Sequence, residues 1–355
     1  MVDSLGRVFT ALWGQPRFGY ALALLWTWRR SLSRNGQVSG MERRTTRFFN
    51  AWSMMKWLAG TWTSEEWAQW VRESPWDFPY DREGYADALG KTWGAIVGAD
   101  FAWPMAYRRK GPFWTAYIPF GMQQWGPVGA EAKHTERLLS AARAIPGKWT
   151  KVDLCVHKPL DWTARSSQWS IRRGRLERWS ERPNFVLDIS DSYQQIHAGF
   201  HKQLLRNLEK AKQHTMTLFE HDTPETLFLA FKRYQGERYR IPEGFGTAIR
   251  QAMYHLLHQG QGAVWSVYGE GNRFLAGAFF AFAGNRAVLL FSAISDEGRS
   301  THAMSYLLNE FFVFAAGRWT YFDFEGSSAP GLARFYGSFG AENQPYLRYQ
   351  RWALL

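Results

Sequence analysis

RFLAGAFFAFAGNRAVLLFSA, residues 273–293, decides the fold. Two apolar runs, Arg273–Ala283 and Arg286–Ala293, meet at Gly284-Asn285, a pair that tolerates left-handed backbone and closes a tight hairpin. A third run, Ala263–Tyr268, precedes them across the turn Gly269–Asn272. Downstream the period changes. Thr301–Ala316 reads as a helix, Tyr321–Phe324 as a strand, Gly331–Gly337 as a short helix and Pro345–Trp352 as a last strand. This order predicts an α/β (α+β) domain whose sheet is mostly antiparallel and flanked by helices.

Upstream, Asp191–His214 reads as one helix, with Tyr193, Ile196, Phe200, Leu204, Leu208 and Ala211 on one stripe. Thr223–Tyr239 and Thr247–His258 read as two more. The first half mixes the same ingredients. Helices are expected from Thr63, with Trp67, Trp70 and Val71 at helical spacing, and at Asp81–Leu89 and Thr135–Ala144. Strands are expected at Gly94–Val97, Phe101–Tyr107, Thr115–Ile118, Lys151–Val156, Ser167–Ile171 and Asn184–Ile189, and a Gly/Pro-rich loop at Pro119–Gly129.

The chain has 355 residues, the length of about two domains. Its 46% hydrophobic and 21% charged residues exclude a disordered or collagen-like chain. Aromatic residues make up 17%, enough for large cores or a groove. The single cysteine, Cys155, excludes an internal disulfide and a cysteine-rich zinc site, and it fits a reducing, cytoplasmic compartment. Phe18–Trp28, the longest apolar stretch, is too short to span a bilayer. Residues 1–54 carry eight arginines against Asp3 and Glu42, half of the net charge of +12. They read as a basic aromatic N-terminal extension suited to peripheral contact with an anionic membrane. Met54-Met55 directly before the first patterned segment leaves open that 1–54 is dispensable. The domains expected are 55–190 and 191–355.

Several local sequences then carry a resemblance. Asn184-Phe-Val-Leu-Asp188 precedes Arg206-Asn-Leu-Glu-Lys-Ala211, and Phe322-Asp-Phe-Glu-Gly-Ser327 leads to Gly331-Leu-Ala-Arg-Phe-Tyr336 and Phe339-Gly340. Gln123-Gln-Trp-Gly126 follows an aromatic strand in the first half. In order and spacing these resemble the FemAB-like branch of the GNAT acyltransferase superfamily, from about Met55 to the C-terminus. The resemblance implies two tandem GNAT-like domains with a substrate groove between them. It also implies transfer of an acyl or aminoacyl group, from acyl-CoA or aminoacyl-tRNA, to an amine or hydroxyl acceptor. Coenzyme A is the cofactor this brings into view, with no metal. The loop Ser295-Asp-Glu-Gly-Arg-Ser-Thr-His-Ala303 departs from the acyl-CoA pattern Gln/Arg-x-x-Gly-x-Gly/Ala by holding one glycine, although Arg299 adds charge.

The residues themselves suggest roles. Asp323 and Glu325 alternate with Phe322 and Phe324, so two carboxylates share one face of a strand, and a pair so close raises one pKa as a general base requires. The plainer reading pairs one of them with Arg334 or caps a helix. Tyr336 can donate a proton and Arg334 can hold phosphate. Lys202, Arg206 and Lys210 form an i, i+4 ridge suited to phosphates, or else a solvated helix face. Gln123, Gln124, Trp125 and Ser327 complete the substrate-binding candidates. A non-catalytic GNAT-like module that binds RNA or an anionic membrane is the alternative function.

Overall fold

The structure, a computed structural model, describes residues 55–59, 64–163, 168–239, 243–326 and 328–353. The basic extension 1–54 and the candidates Thr63 and Ser327 lie outside the described residues. The first half holds β1 (Lys56–Ala59), α1 (Ser64–Glu73), α2 (Tyr85–Ala88), β2 (Trp93–Gly98), β3 (Phe101–Lys110) and β4 (Phe113–Tyr117). It continues with α3 (Thr135–Ala144), β5 (Trp149–Val156), β6 (Ser170–Arg172) and β7 (Arg175–Arg182). Next come β8 (Phe185–Asp188), α4 (Tyr193–Ala198), α5 (Lys202–Ala211), β9 (Thr217–Phe219), α6 (Pro224–Tyr239) and α7 (Phe245–His258). Strands β10 (Gly262–Gly269), β11 (Arg273–Ala283) and β12 (Arg286–Ile294) follow, then α8 (Asp296–Ser300) and α9 (Ala303–Ala315). The chain closes with β13 (Tyr321–Asp323), α10 (Pro330–Gly337), β14 (Glu342–Asn343) and β15 (Tyr346–Ala353).

These strands form two mixed, mostly antiparallel sheets, ordered β1-β2-β3-β4-β5-β15-β7-β6 and β14-β8-β13-β12-β11-β10-β9. Each contains one parallel pair among the described residues, β4 with β5 and β12 with β13. The expected α/β (α+β) fold with mixed, mostly antiparallel sheets flanked by helices is therefore the observed one. The sheets do not divide at 190/191, because β8 lies in the second sheet and β15 returns to sit between β5 and β7 in the first.

The second sheet is covered on both faces, as its long apolar strands require. On one face Trp265, Phe280 and Phe322 pack with Phe311 and Phe312 of α9, with the Phe280 and Phe311 rings stacked 3.7 Å apart. On the other, Phe279, Ala281 and Val288 meet Leu227 and Phe231 of α6 and Ile249 and Met253 of α7. The first sheet buries Trp103, Trp149, Leu154 and Tyr349 against Leu138 and Ala141 of α3.

Three expectations need correction. Asp191–His214 is not one helix: α4 stops at Gly199, and α5 restarts after His201, whose N–H donates to Ser338 O at 2.8 Å. The apolar stripe still reaches one core, since Ile196, Phe200, Leu204 and Leu208 are all buried there. Asp81–Leu89 is a 3-10 turn, Pro79–Asp81, and the short helix α2, split by Gly84 at φ 79°. Strand β7 escaped sequence reading because Arg-Leu-Glu-Arg-Trp-Ser-Glu-Arg has too many charges to look like a strand, yet all eight of its residues pair with β15.

Since β15 joins β5 to β7, a chain ending at Gln344 is expected to lose the first sheet. Urea unfolding of that chain should show a lower midpoint and a smaller slope. The full-length midpoint and slope in the truncated chain would contradict this topology.

Candidate active site

Strands β12 and β13 run parallel but stay in register only over Arg286–Val288 and Tyr321–Asp323. Beyond Asp323 the chain keeps to β8, with Phe324 N–H donating to Phe185 O at 3.0 Å, while β12 continues to Ile294. The two strands thus part at their C-terminal ends, leaving about 20 Å of β12 unpaired on that side at the usual strand rise. Asp323 and Glu325 stand where they part.

Alternation sends the rings one way and the carboxylates the other. Phe322 and Phe324 lie in the core with Phe312, and Tyr336 stacks on Phe324 at 4.7 Å. Asp323 is fully buried on the opposite side. Asn184 Nδ2 donates to both its oxygens at 3.0 Å, Arg286 Nη1 to Oδ2 at 2.9 Å, and Glu325 N–H to Oδ1 at 3.0 Å. The arginine beside the carboxylates is thus Arg286 and not Arg334, which lies exposed on α10. Arg286 also lies over the Phe78 ring at 4.5 Å, so its cation is fixed from two sides.

Glu325 sits at φ 47°, followed by Gly326 at φ 56°. For a non-glycine residue this left-handed backbone costs roughly 1–3 kcal/mol and is found where surrounding contacts over-determine it. Burial drives the Glu325 pKa well above the ordinary carboxylate range, and the neighbouring Asp323 charge pushes the same way. The nearby Tyr80 hydroxyl and the charge of Arg286 oppose this without cancelling it. Burial also raises Asp323, opposed chiefly by Arg286, the Glu325 N–H and Asn184. Tyr80 and Tyr85 are both buried, with phenols pushed well above 10, so they stay protonated donors.

A chain of buried polar groups runs from Asp323 into the first half. Gln123 Nε2 donates to Asn184 Oδ1 at 3.1 Å, and Gln124 Nε2 to Gln123 Oε1 at 3.4 Å. His157 meets Gln124 Oε1 through Nδ1 at 3.0 Å and Asp81 Oδ2 through Nε2 at 2.6 Å. Asp81 Oδ1 accepts from Gly126 N–H at 3.0 Å. Gln123 and Gln124 therefore link to the carboxylates, while Trp125 is buried against Trp93. Asp81, His157, Asn184 and Arg286 were not singled out as site residues. The usable signals were a lone arginine opening the apolar strand β12 and a histidine directly following β5.

The other candidates gather elsewhere. Lys202, Arg206 and Lys210 are exposed along α5. The last of them approaches the start of α9: burial lowers the His302 pKa, and the Lys210 and His214 charges add to this. His302 is itself left-handed, at φ 56°, and caps α9 with no side-chain hydrogen bond. Arg299 is exposed, 3.8 Å from Asp296. The loop's single glycine is needed for packing, because a Cβ on Gly298 would lie 2.0 Å from Leu275 O. The loop's own amides are engaged, with Gly298 N–H donating to Ser295 Oγ and Thr301 N–H to Glu297 O, both at 2.9 Å. An anion at this end would therefore meet the uncapped first turn of α9 together with Lys210 and His302.

Residues 198–335 match the family described as Acetyltransferase (GNAT) domain. Among solved structures, FemX is similar with a TM-score of 0.54 at 15% identity, over 84% of this chain and 98% of FemX. A tandem GNAT protein from the clavulanic acid biosynthesis pathway gives a TM-score of 0.48 at 9% identity, over 84% and 98%. The C-terminal domain of a putative lysylphosphatidylglycerol synthetase from Agrobacterium fabrum gives 0.43 at 12%, over 80% and 92%. No curated protein matches the chain. Residues 198–335 are thus similar to a GNAT acetyltransferase domain, and the fold as a whole is like that of FemX.

Replacing Arg286 with Met leaves Asp323 buried without its cation, which should cost about 3–5 kcal/mol in urea unfolding. Adding Asp323→Asn should recover part of that loss. A stability loss under about 1 kcal/mol for Arg286→Met would show that the pair is not the anchor described.

Proposed function

We propose that the chain transfers an acyl or aminoacyl group from a phosphate-bearing donor to an amine or hydroxyl, with Glu325 as the group that moves the proton. The observation that carries this reading is the parting of β12 and β13 with a strained, buried, high-pKa glutamate at the fork. The start of α9 lies at the same end of the sheet, after β12. The fork offers a strand edge to an extended acyl arm, and the α9 terminus with Lys210, His302 and Arg299 would hold a donor phosphate. Acyl-CoA would supply a thioester there, and aminoacyl-tRNA an ester. Lys202, Arg206 and Lys210 extend the basic surface over about 12 Å at the helical rise, longer than one phosphate needs. This length favours a polynucleotide donor.

Glu325, once ionised, takes the proton from the attacking nitrogen or oxygen as the bond to the carbonyl carbon forms. It returns that proton to the leaving sulfur or oxygen as the old bond breaks. Asp323 holds the Glu325 backbone in place and keeps Glu325 weakly acidic. The proposed step uses no metal and no covalent intermediate. Tyr80 and Tyr85, as buried neutral phenols beside Glu325, keep the pocket polar without adding charge.

The test measures transfer from acetyl-CoA, a longer acyl-CoA and an aminoacyl-tRNA. Glu325→Gln should lower kcat by about 10²–10⁴ with little change in donor KM. Because its acid is raised, the wild-type rate should climb with pH through and above the ordinary carboxylate range. Lys210→Gln should raise donor KM, the more so at low salt. Full activity in both Glu325→Gln and Asp323→Asn would refute the proton role. Salt-sensitive binding of RNA or anionic vesicles with no transfer from any donor would replace the enzyme by a binding module.

A further inference from the structure

Period-two alternation gives the first sheet a second, polar face. On β5, Val152, Leu154 and Val156 enter the core beneath α3, so Lys151, Asp153 and Cys155 turn to the other side. On β15, Leu347 and Tyr349 do the same, turning Tyr346 and Arg348 outward with them. Across β4, β5, β15 and the end of β7 these side chains line a cavity of about 310 Å³.

Its charge is one-sided. Arg108, Lys151, Arg182 and Arg348 border the cavity, and Asp153 is the one carboxylate. Arg348 occupies that carboxylate, donating from Nε and Nη2 at 2.7 Å each. Arg108, Lys151 and Arg182 face the cavity with no ion pair among the described residues. The remaining polar lining adds donors. Burial pushes the Tyr346 phenol up to about 12 and the Cys155 thiol up to about 12, so both stay protonated and neutral. Arg182 is a half-buried guanidinium without a carboxylate, unfavourable until an anion joins it, Arg108 and Lys151 add exposed positive charge, and the planar guanidinium forks match carboxylate and phosphate oxygens.

The cavity also reaches toward the fork. Arg182 Nη2 donates to Ser328 Oγ at 3.2 Å, on the loop that leaves Glu325 and Gly326. A molecule held by Arg182 at one end is thereby beside the segment that carries the proposed proton carrier.

We infer that this cavity binds an anionic group, a carboxylate or a phosphate, of the acceptor, whose amine or hydroxyl then extends toward Glu325. This assignment rests on the transferase reading for the word acceptor, and on the first sheet alone for the anion.

The full chain is titrated calorimetrically with inorganic phosphate and, separately, with succinate. One of them should bind saturably, and the one that does distinguishes a phosphorylated from a carboxylated acceptor. Arg182→Gln and Lys151→Glu should each weaken that binding about tenfold or more, as expected for losing one charge-assisted contact. Their melting temperatures should stay near wild type, Lys151 being exposed. Lys210→Gln, at the donor end, should leave it unchanged. Binding that is equally tight in Arg182→Gln and Lys151→Glu would overturn the assignment, as would saturable binding of neither anion. A chain that binds the anion here yet transfers nothing supports the site and overturns only the transferase reading.

Discussion

A fully buried aspartate fixes the centre of this molecule. Taking a carboxylate out of water costs several kcal/mol unless its charge and lone pairs are met, and Asp323 meets them with Arg286, the Asn184 side-chain amide and the Glu325 backbone amide. Each partner comes from a different segment. Arg286 opens β12, Asn184 precedes β8, and Glu325 bends away from β13 in a left-handed turn. Satisfying one charge therefore fixes the edge where β12 and β13 part, and that charge adds to burial in raising the pKa of the second carboxyl beside it.

The same requirement ties the two halves together. Asn184 passes its amide oxygen to Gln123, and Gln124, His157 and Asp81 continue the line to the backbone of Gly126. A buried polar row of this kind is favourable only when every member is paired, so a change at any link is felt at the carboxylates. The return of β15 between β5 and β7 adds a covalent tie in the same direction. Sequence boundaries drawn between the halves miss this, because a strand's sheet is decided by pairing partners far along the chain.

Much of the second sheet was legible. Arg273–Ala283 is the strand expected, because its length, apolar content and Gly284-Asn285 turn all agree. Thr135–Ala144 agrees for the same reason, bounded by Pro146-Gly147. Where signals conflicted, the reading failed: the charges of β7 hid a strand, and Gly199 broke a helix whose apolar stripe runs on unbroken. At the site, period two located Asp323 and Glu325 on one face, since that needs only local geometry. Local geometry could not supply Arg286, whose pairing with Asp323 crosses 37 residues and depends on the parallel register of β12 and β13. Nor could it show that Gly298 serves close packing on Leu275.

The account turns on the Glu325 pKa being raised well above the ordinary carboxylate range. Carbon-13 NMR of labelled glutamate carboxyls, with Glu325→Gln assigning the resonance, reads its titration directly. With a folded pKa raised above its unfolded one, the carboxyl stays neutral below that value, and its contribution to stability is lost as pH rises through it. The account predicts a midpoint well above the usual 4.3 of glutamate. A midpoint at that ordinary value would show an ionised Glu325 and remove the basis for its role in proton transfer.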